Sequence, residues 1–276
     1  SPSSTNAIAP PSKASGTITV DTIADIDGLT SLNLTAVNAN LTTGQLGTDA
    51  TANNAELLST ITTSATGTGV VLTTGAIFAD STVDSTSDLA MTINTTTNVG
   101  AQTVLGAIDN TYGSITGTFV SNSSDDTDIG NLTAVDMTLT VSGGGDTDFQ
   151  DLIASGTVAV TASGSGNLTI DDANIDGTSA SLSVDTSAMS GTVSAVATNT
   201  SVATTLTGGS GADTLTGGSV ADSITGGAGA DDITGGAGAD SIIAAAGADT
   251  ITTGAGADII TAVGSGDNVI TTGDDD

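Results

Sequence analysis

Residues 208–270 read GGSGADTLT, GGSVADSIT, GGAGADDIT, GGAGADSII, AAAGADTIT, TGAGADIIT and AVGSGDNVI, a nine-residue period without a break. The sixth position of every unit is an aspartate: Asp213, Asp222, Asp231, Asp240, Asp249, Asp258 and Asp267. The eighth is always aliphatic: Leu215, Ile224, Ile233, Ile242, Ile251, Ile260 and Val269, with Leu206 one step before them. The closing TTGDDD carries Asp276 in the same register.

This spacing has a physical reading. Paired glycines open the first four units, at Gly208-Gly209, Gly217-Gly218, Gly226-Gly227 and Gly235-Gly236. A further glycine stands fourth at Gly211, Gly229, Gly238, Gly247 and Gly256. Such residues allow tight turns and leave backbone carbonyls accessible. The three residues after each aspartate suit a short strand with one side chain inward. Two units then make one coil, and the aspartates of alternate units stack into two columns. Asp213, Asp231, Asp249 and Asp267 form one, and Asp222, Asp240, Asp258 and Asp276 the other. Parallel strands lie about 4.8 Å apart, and carboxylates at that distance repel unless a cation separates them. Calcium accepts six to eight oxygens at about 2.3–2.6 Å and takes carboxylates and carbonyls together.

The composition agrees. The 276-residue chain has one basic residue, Lys13, against 31 acidic ones, for a formal charge of −30. Nucleic acid and anionic membranes need Lys or Arg to neutralise phosphate, so both are excluded as partners. No run approaches the roughly 20 apolar residues of a membrane-spanning helix. There is no cysteine, so neither disulfides nor thiolate metal sites can form. Only Phe78, Tyr112, Phe119 and Phe149 are aromatic. Few aromatics and high charge can mean disorder. Plentiful Thr, Val and Ile with almost no Lys, Glu or Gln point instead to a β-solenoid, where stacked coils share a thin aliphatic core.

The glycine-rich units match the GGxGxDxUx nonapeptide, and the segment resembles the RTX proteins, whose repeat is a general signature of a calcium-binding β-helix. The resemblance covers residues 206–276 and implies a right-handed parallel β-roll. It also implies that each calcium ion sits between two turns on one side, held by sixth-position aspartates and by carbonyls of the glycine-rich part. Asp213 would then pair with Asp231, Asp231 with Asp249, Asp249 with Asp267, Asp222 with Asp240, and Asp240 with Asp258. Val220, Ala244-Ala245, Thr253 and Ala262-Val263 depart from the pattern, and weaker sites are expected after residue 243. RTX proteins typically leave the cell by type I secretion without a cleaved N-terminal signal, and none is visible here.

Residues 1–14 read as a flexible leader and 15–205 as an irregular β-solenoid or parallel β-helix preceding the roll. Alternating runs such as Thr17-Ile18-Thr19-Val20, Ser31-Leu32-Asn33-Leu34 and Met137-Thr138-Leu139-Thr140-Val141 are separated by turn-forming clusters. Leu168-Thr-Ile-Asp171 recurs further on as Leu182-Ser-Val-Asp185. Ala55-Glu56-Leu57-Leu58 is the nearest approach to a helix. A tandem β-sandwich is the alternative, but it needs a thicker core of larger residues. Further candidate calcium ligands are Asp25 with Asp27, Asp125-Asp126 with Asp128, Asp146 with Asp148, and Asp171-Asp172 with Asp185, set against their plain reading as solvated turn residues.

Catalysis finds little support. Without histidine or cysteine, a Ser–His–Asp arrangement and a histidine zinc site are both impossible. A paired-aspartate glycosidase is formally open, but the chain lacks the aromatic and basic residues that hold sugars. The expected role is structural. Texture and segment order resemble the S-layer proteins of Gram-negative bacteria and the large RTX adhesins. The expectation is a secreted, cell-surface subunit that self-assembles through calcium, with cell-surface polysaccharide as a further partner, or the stalk of an adhesin.

Overall fold

The fold was analysed in a computed structural model of the chain. It describes residues 6–8, 17–21, 31–45, 60–78, 91–98, 100–122, 126–177, 179–198, 201–264 and 266–273. The leader apart from 6–8, together with Asp25, Asp27, the 55–58 segment, Asp125 and Asp276, lies outside these residues. No described residue is helical. The chain divides into two compact units, Ser1–Gln150 and Asp151–Asp276.

In the first unit, strands stack in parallel into two ranks. One rank contains Ser31–Val37, Thr60–Thr66, Met91–Thr97, Ile108–Ser121 and Leu132–Gly143. The other contains Asn40–Thr43, Val70–Thr73, Ala101–Leu105, Asp126–Ile129 and the strand that starts at Asp146. Side chains alternate across each strand, as the pleat requires. Leu34, Ile61, Leu72, Ile93, Leu105, Phe119 and Phe149 point inward and are fully buried. The coils are wide. Leu32 pairs with Ile61 and Thr60 with Thr92, so each of these turns takes up more chain than three nonapeptides would. The next two steps shorten, from Met91 to Ile115 and from Ile115 to Met137.

The space inside these wide coils is filled in two ways. Phe119 and Phe149 meet edge to face with centroids 5.1 Å apart, a favourable aromatic geometry. Buried threonines pair in the interior: along the stack Thr63 Oγ1 donates to Thr95 Oγ1 at 3.0 Å, and between the ranks Thr97 Oγ1 lies 2.7 Å from that of Thr103 and 2.8 Å from that of Thr127. Pairing hydroxyls removes most of the cost of burying them. The sequence reading anticipated an aliphatic core and missed these internal hydroxyl pairs.

The second unit has the same construction with shrinking coils. Val158 pairs with Leu182, Val184 with Leu206 and Leu206 with Ile224, each step shorter than the one before until it equals two nonapeptides. The nonapeptide roll is thus the narrow continuation of the coils that begin at residue 151. The repeat shared by Leu168–Asp171 and Leu182–Asp185 spans half a coil. Leu168 stacks on Val193 rather than on Leu182, so the two copies lie in opposite ranks of strands. In the roll, one aliphatic per strand fills the core. Leu206, Leu215, Ile224, Ile233, Ile242 and Ile251 are at most 1 % exposed.

Register corrects one expectation. Through Ile260, which pairs with Ile242, every step of the roll equals two nonapeptides. Ile251 then pairs with Ile270 instead of Val269, a step one residue longer. The extra residue enters between Thr261 and Gly264. Ile270, not Val269, therefore continues the aliphatic column, and both are exposed at the edge of the last coil.

Candidate calcium ladder

Each ladder aspartate sits where a turn enters a three-residue strand segment, and its first task is to tie coils together. Oδ1 of Asp231 accepts the backbone N–H of Asp213 (2.9 Å), and Oδ1 of Asp240 that of Asp222 (2.8 Å). Asp249 does the same for Asp231 (3.1 Å) and Asp258 for Asp240 (2.8 Å). At the top of the roll, Oδ1 of Asp213 accepts the N–H of Val193 and Oδ1 of Asp222 that of Thr204. The ladder thereby joins the preceding coils without a break. The two predicted columns are present, with one correction. The N–H of Asp249 donates to Asn268 Oδ1 at 2.9 Å, and Asp267 is exposed outside the column. The extra residue before Gly264 turns Asp267 out and brings a neutral carboxamide into the last rung.

The second carboxylate oxygen divides the ladder. In Asp213 and Asp222, Oδ2 accepts the N–H of Gly209 and Gly218, each at 2.7 Å. One coil on, the equivalent glycines, Gly227 and Gly236, have φ of 109° and 114°, a conformation open to glycine and strained for other residues. There the strands run on to Ala228 and Ala237, and Oδ2 of Asp231, Asp240 and Asp249 is buried with no hydrogen-bond partner. An orphaned buried carboxylate oxygen carries a large desolvation cost.

The surroundings of these oxygens test whether a cation fits. A Cβ added to Gly226 would lie 2.6 Å from Asp231 Oδ2 and 2.8 Å from the carbonyl of Ala244. One added to Gly235 would lie 2.5 Å from Asp240 Oδ2 and against the carbonyl of Thr253. Glycine thus keeps open a space where a carboxylate oxygen and a carbonyl oxygen of the next coil converge. Hard oxygen donors of mixed type suit calcium. Among the described residues no three carboxylates converge, so any such ion would rely on backbone carbonyls. In the following coil, Ala244 and Thr253, both 0 % exposed, carry a Cβ at the positions equivalent to Gly226 and Gly235. Ala245 also holds a φ of 68°. The fourth-position glycines stack tightly as well: Gly229 and Gly247 sit over the carbonyls of Gly211 and Gly229, and Gly238 and Gly256 over those of Val220 and Gly238.

The electrostatics follow this division. Burial raises the carboxyl of Asp231 to about 6, against the pull of the Asp213 N–H and with a further push from the Asp213 and Asp249 carboxylates. Asp240 is raised to about 6 by burial too, with Asp222 and Asp258 adding to it against the Asp222 N–H. Asp213 and Asp222 are also raised by burial, but their two backbone donors offset it.

Of the other acidic candidates, one group comes together and one does not. Asp126 and Asp128 pair in register with Asp146 and Asp148 on the outer face of the first unit. Burial raises the Asp128 carboxyl, followed by the charges of Asp148 and Asp126, and Gln102 Nε2 donates to it at 3.0 Å. Asp171 and Asp185 lie in different ranks of strands and do not meet. Asp185 is held below the ordinary carboxylate range by hydrogen bonds from the Ser187 side chain and backbone.

The RTX calcium-binding nonapeptide repeat, in four copies, matches residues 207–242 and again 234–264. No curated protein and no solved structure matches the chain. Residues 207–264 therefore carry the RTX calcium-binding nonapeptide repeat, and their two-nonapeptide register is that of a parallel β-roll.

Proposed function

We propose that this chain is an extracellular structural protein, a subunit of a calcium-dependent S-layer-like lattice or filament. The observation that carries the reading is the set of orphaned, buried carboxylate oxygens in the roll of a chain with formal charge −30. Calcium between the coils would neutralise the ladder and drive folding, because binding stabilises only the folded state. Extracellular calcium modules work at about 10⁻⁴–10⁻³ M, so the roll would fold after export. RTX repeats are typical of proteins that leave by type I secretion, which fits this order of events. Subunits this acidic repel one another, and divalent cations are what let them approach. The partner on this reading is the chain itself, with cell-surface polysaccharide as the ground beneath the assembly. Stacked parallel coils within each unit also favour a second reading, the stalk of an RTX adhesin.

Electron microscopy of the purified chain at millimolar calcium, then with chelator, tests the proposal. Sheets or filaments that dissolve with chelator support it. Single rods in both conditions contradict lattice assembly and leave the stalk.

A further inference from the structure

The outer faces of the first unit differ sharply from each other. On one side the pairs Asp126–Asp146 and Asp128–Asp148 set four carboxylates side by side, while Thr127 and Thr147 between them point inward. On the other side the register is unbroken over three outward columns; it shifts only between Asn110 and Ser114, beyond which Ser114 pairs with exposed Asp136 at the edge of the columns. Thr60, Thr92, Thr116 and Thr138 form one outward column. Two residues along, Thr62, Asn94, Thr118 and Thr140 form the next. Positions 35, 64, 96, 120 and 142 make a third, of Thr, Ser and Val. No charged residue stands in these columns, on a chain with 31 acidic residues. Thr116, Thr118, Thr138 and Thr140 are exposed and the columns before them half-exposed.

Such a face constrains its partner. Ions and charged polymers find nothing to pair with. Sugar chains usually need an aromatic platform, and Phe119, on the fourth of the five strands, points inward. A second copy is a poor fit. Five strands at about 4.8 Å and three columns at about 6.6 Å make a patch of roughly 400 Å², about half of what each partner buries in a stable interface. What the columns offer is a rigid grid. Threonine is stiff at χ1, and each outward threonine presents one methyl and one hydroxyl at a fixed spacing. Tetrahedral water joined by hydrogen bonds of about 2.8 Å places second neighbours about 4.5 Å apart. The columns repeat at about 4.8 Å, near enough for hydroxyl-bound waters to fall into the ranks of a frozen lattice.

We propose that this threonine face, whose three columns carry no charge, binds ice. It acts by holding first-layer water in register with the solid, and it stands independently of the assembly reading.

The test grows ice slowly through a dilute solution of the full chain in millimolar calcium and measures the protein taken into the solid. Enrichment at least tenfold over an inert acidic protein is expected. T62Y with T118Y should remove it, while D128N, on the opposite face, should retain it. Both side chains point outward, so circular dichroism of T62Y with T118Y should match the parent. If that pair disturbs the β-signal, T116Y on the exposed strand replaces it with the same expected loss. Exclusion of the parent chain from ice overturns the proposal. So does retention on crystalline cellulose, or a T118-dependent dimer in sedimentation, in place of ice enrichment.

Discussion

The coils between residues 31 and 143 and those between 204 and 261 are both parallel stacks, but they are closed by different means. The wide coils are filled by side chains, with Phe119 against Phe149, layers of Leu and Ile, and threonine pairs such as Thr63–Thr95 and Thr97–Thr103, while Thr43 and Thr147 keep unpaired neutral hydroxyls. The narrow coils step by two nonapeptides and bury one aliphatic per strand. Beside that aliphatic they place an aspartate whose Oδ1 holds the backbone of the previous coil. Where the turn supplies a second N–H, as at Gly209 and Gly218, the carboxylate is satisfied by the chain. Where it does not, a cation is required. Coil width thus decides whether side chains or ions complete the interior.

The largest effect that sharpens this contrast comes from substituting two rungs whose Oδ2 is orphaned. Asp231→Ala with Asp240→Ala should abolish the calcium-induced β-signal in circular dichroism. Asp213→Asn with Asp222→Asn should shift its calcium midpoint only a few-fold, because an amide oxygen still accepts one backbone N–H. Equal effects of the two pairs would break the division of the ladder.

Acid should act on the metal-free roll in the opposite sense to most carboxylate-rich folds. Asp231 and Asp240 have folded pKa values raised to about 6, against 3.8 for the free side chain. The folded state therefore holds more protons than the unfolded one between these values. The penalty is absent below 3.8, grows as pH rises to about 6, and is constant above. In chelator, the β-signal of the roll in circular dichroism should increase as pH falls from 6.5 to 4. Calcium affinity should weaken over the same interval as protons compete for the oxygens.

A smaller effect is expected at Ala245, whose φ is 68°. Left-handed backbone costs a side-chain-bearing residue about 1–2 kcal/mol, so Ala245→Gly should stabilise the calcium-loaded roll by about 1 kcal/mol in urea melts.

Much of this was legible in the sequence. The Asp and aliphatic columns follow from a period, and a period survives in single residues such as Leu206 and Leu215, which pair with Ile224 and Ile233 as expected. The slip at residues 262–264 was not read, although a sign of it was present. Gly264 and Gly266 stand over Ala245 and Gly247, one residue out of the nonapeptide frame. Two adjacent aliphatics, Val269 and Ile270, masked the shift. The hydroxyl pairs inside the wide coils left no trace either, since Thr97 and Thr103 meet only because a short turn folds one strand of the coil against the next. Nor does the nonapeptide separate Asp213 from Asp231. Their motifs are the same, and the difference lies in the backbone angles of Gly209 and Gly227.

Hydrogen exchange on the full chain, with calcium and with chelator, addresses the central claim most directly. If ions close only the narrow coils, chelator should release the amides of 223–261 by at least a hundredfold in rate and leave those of 60–66, 91–97 and 132–143 protected. Uniform loss of protection along the chain, or protection of the roll unchanged by chelator, would contradict the account.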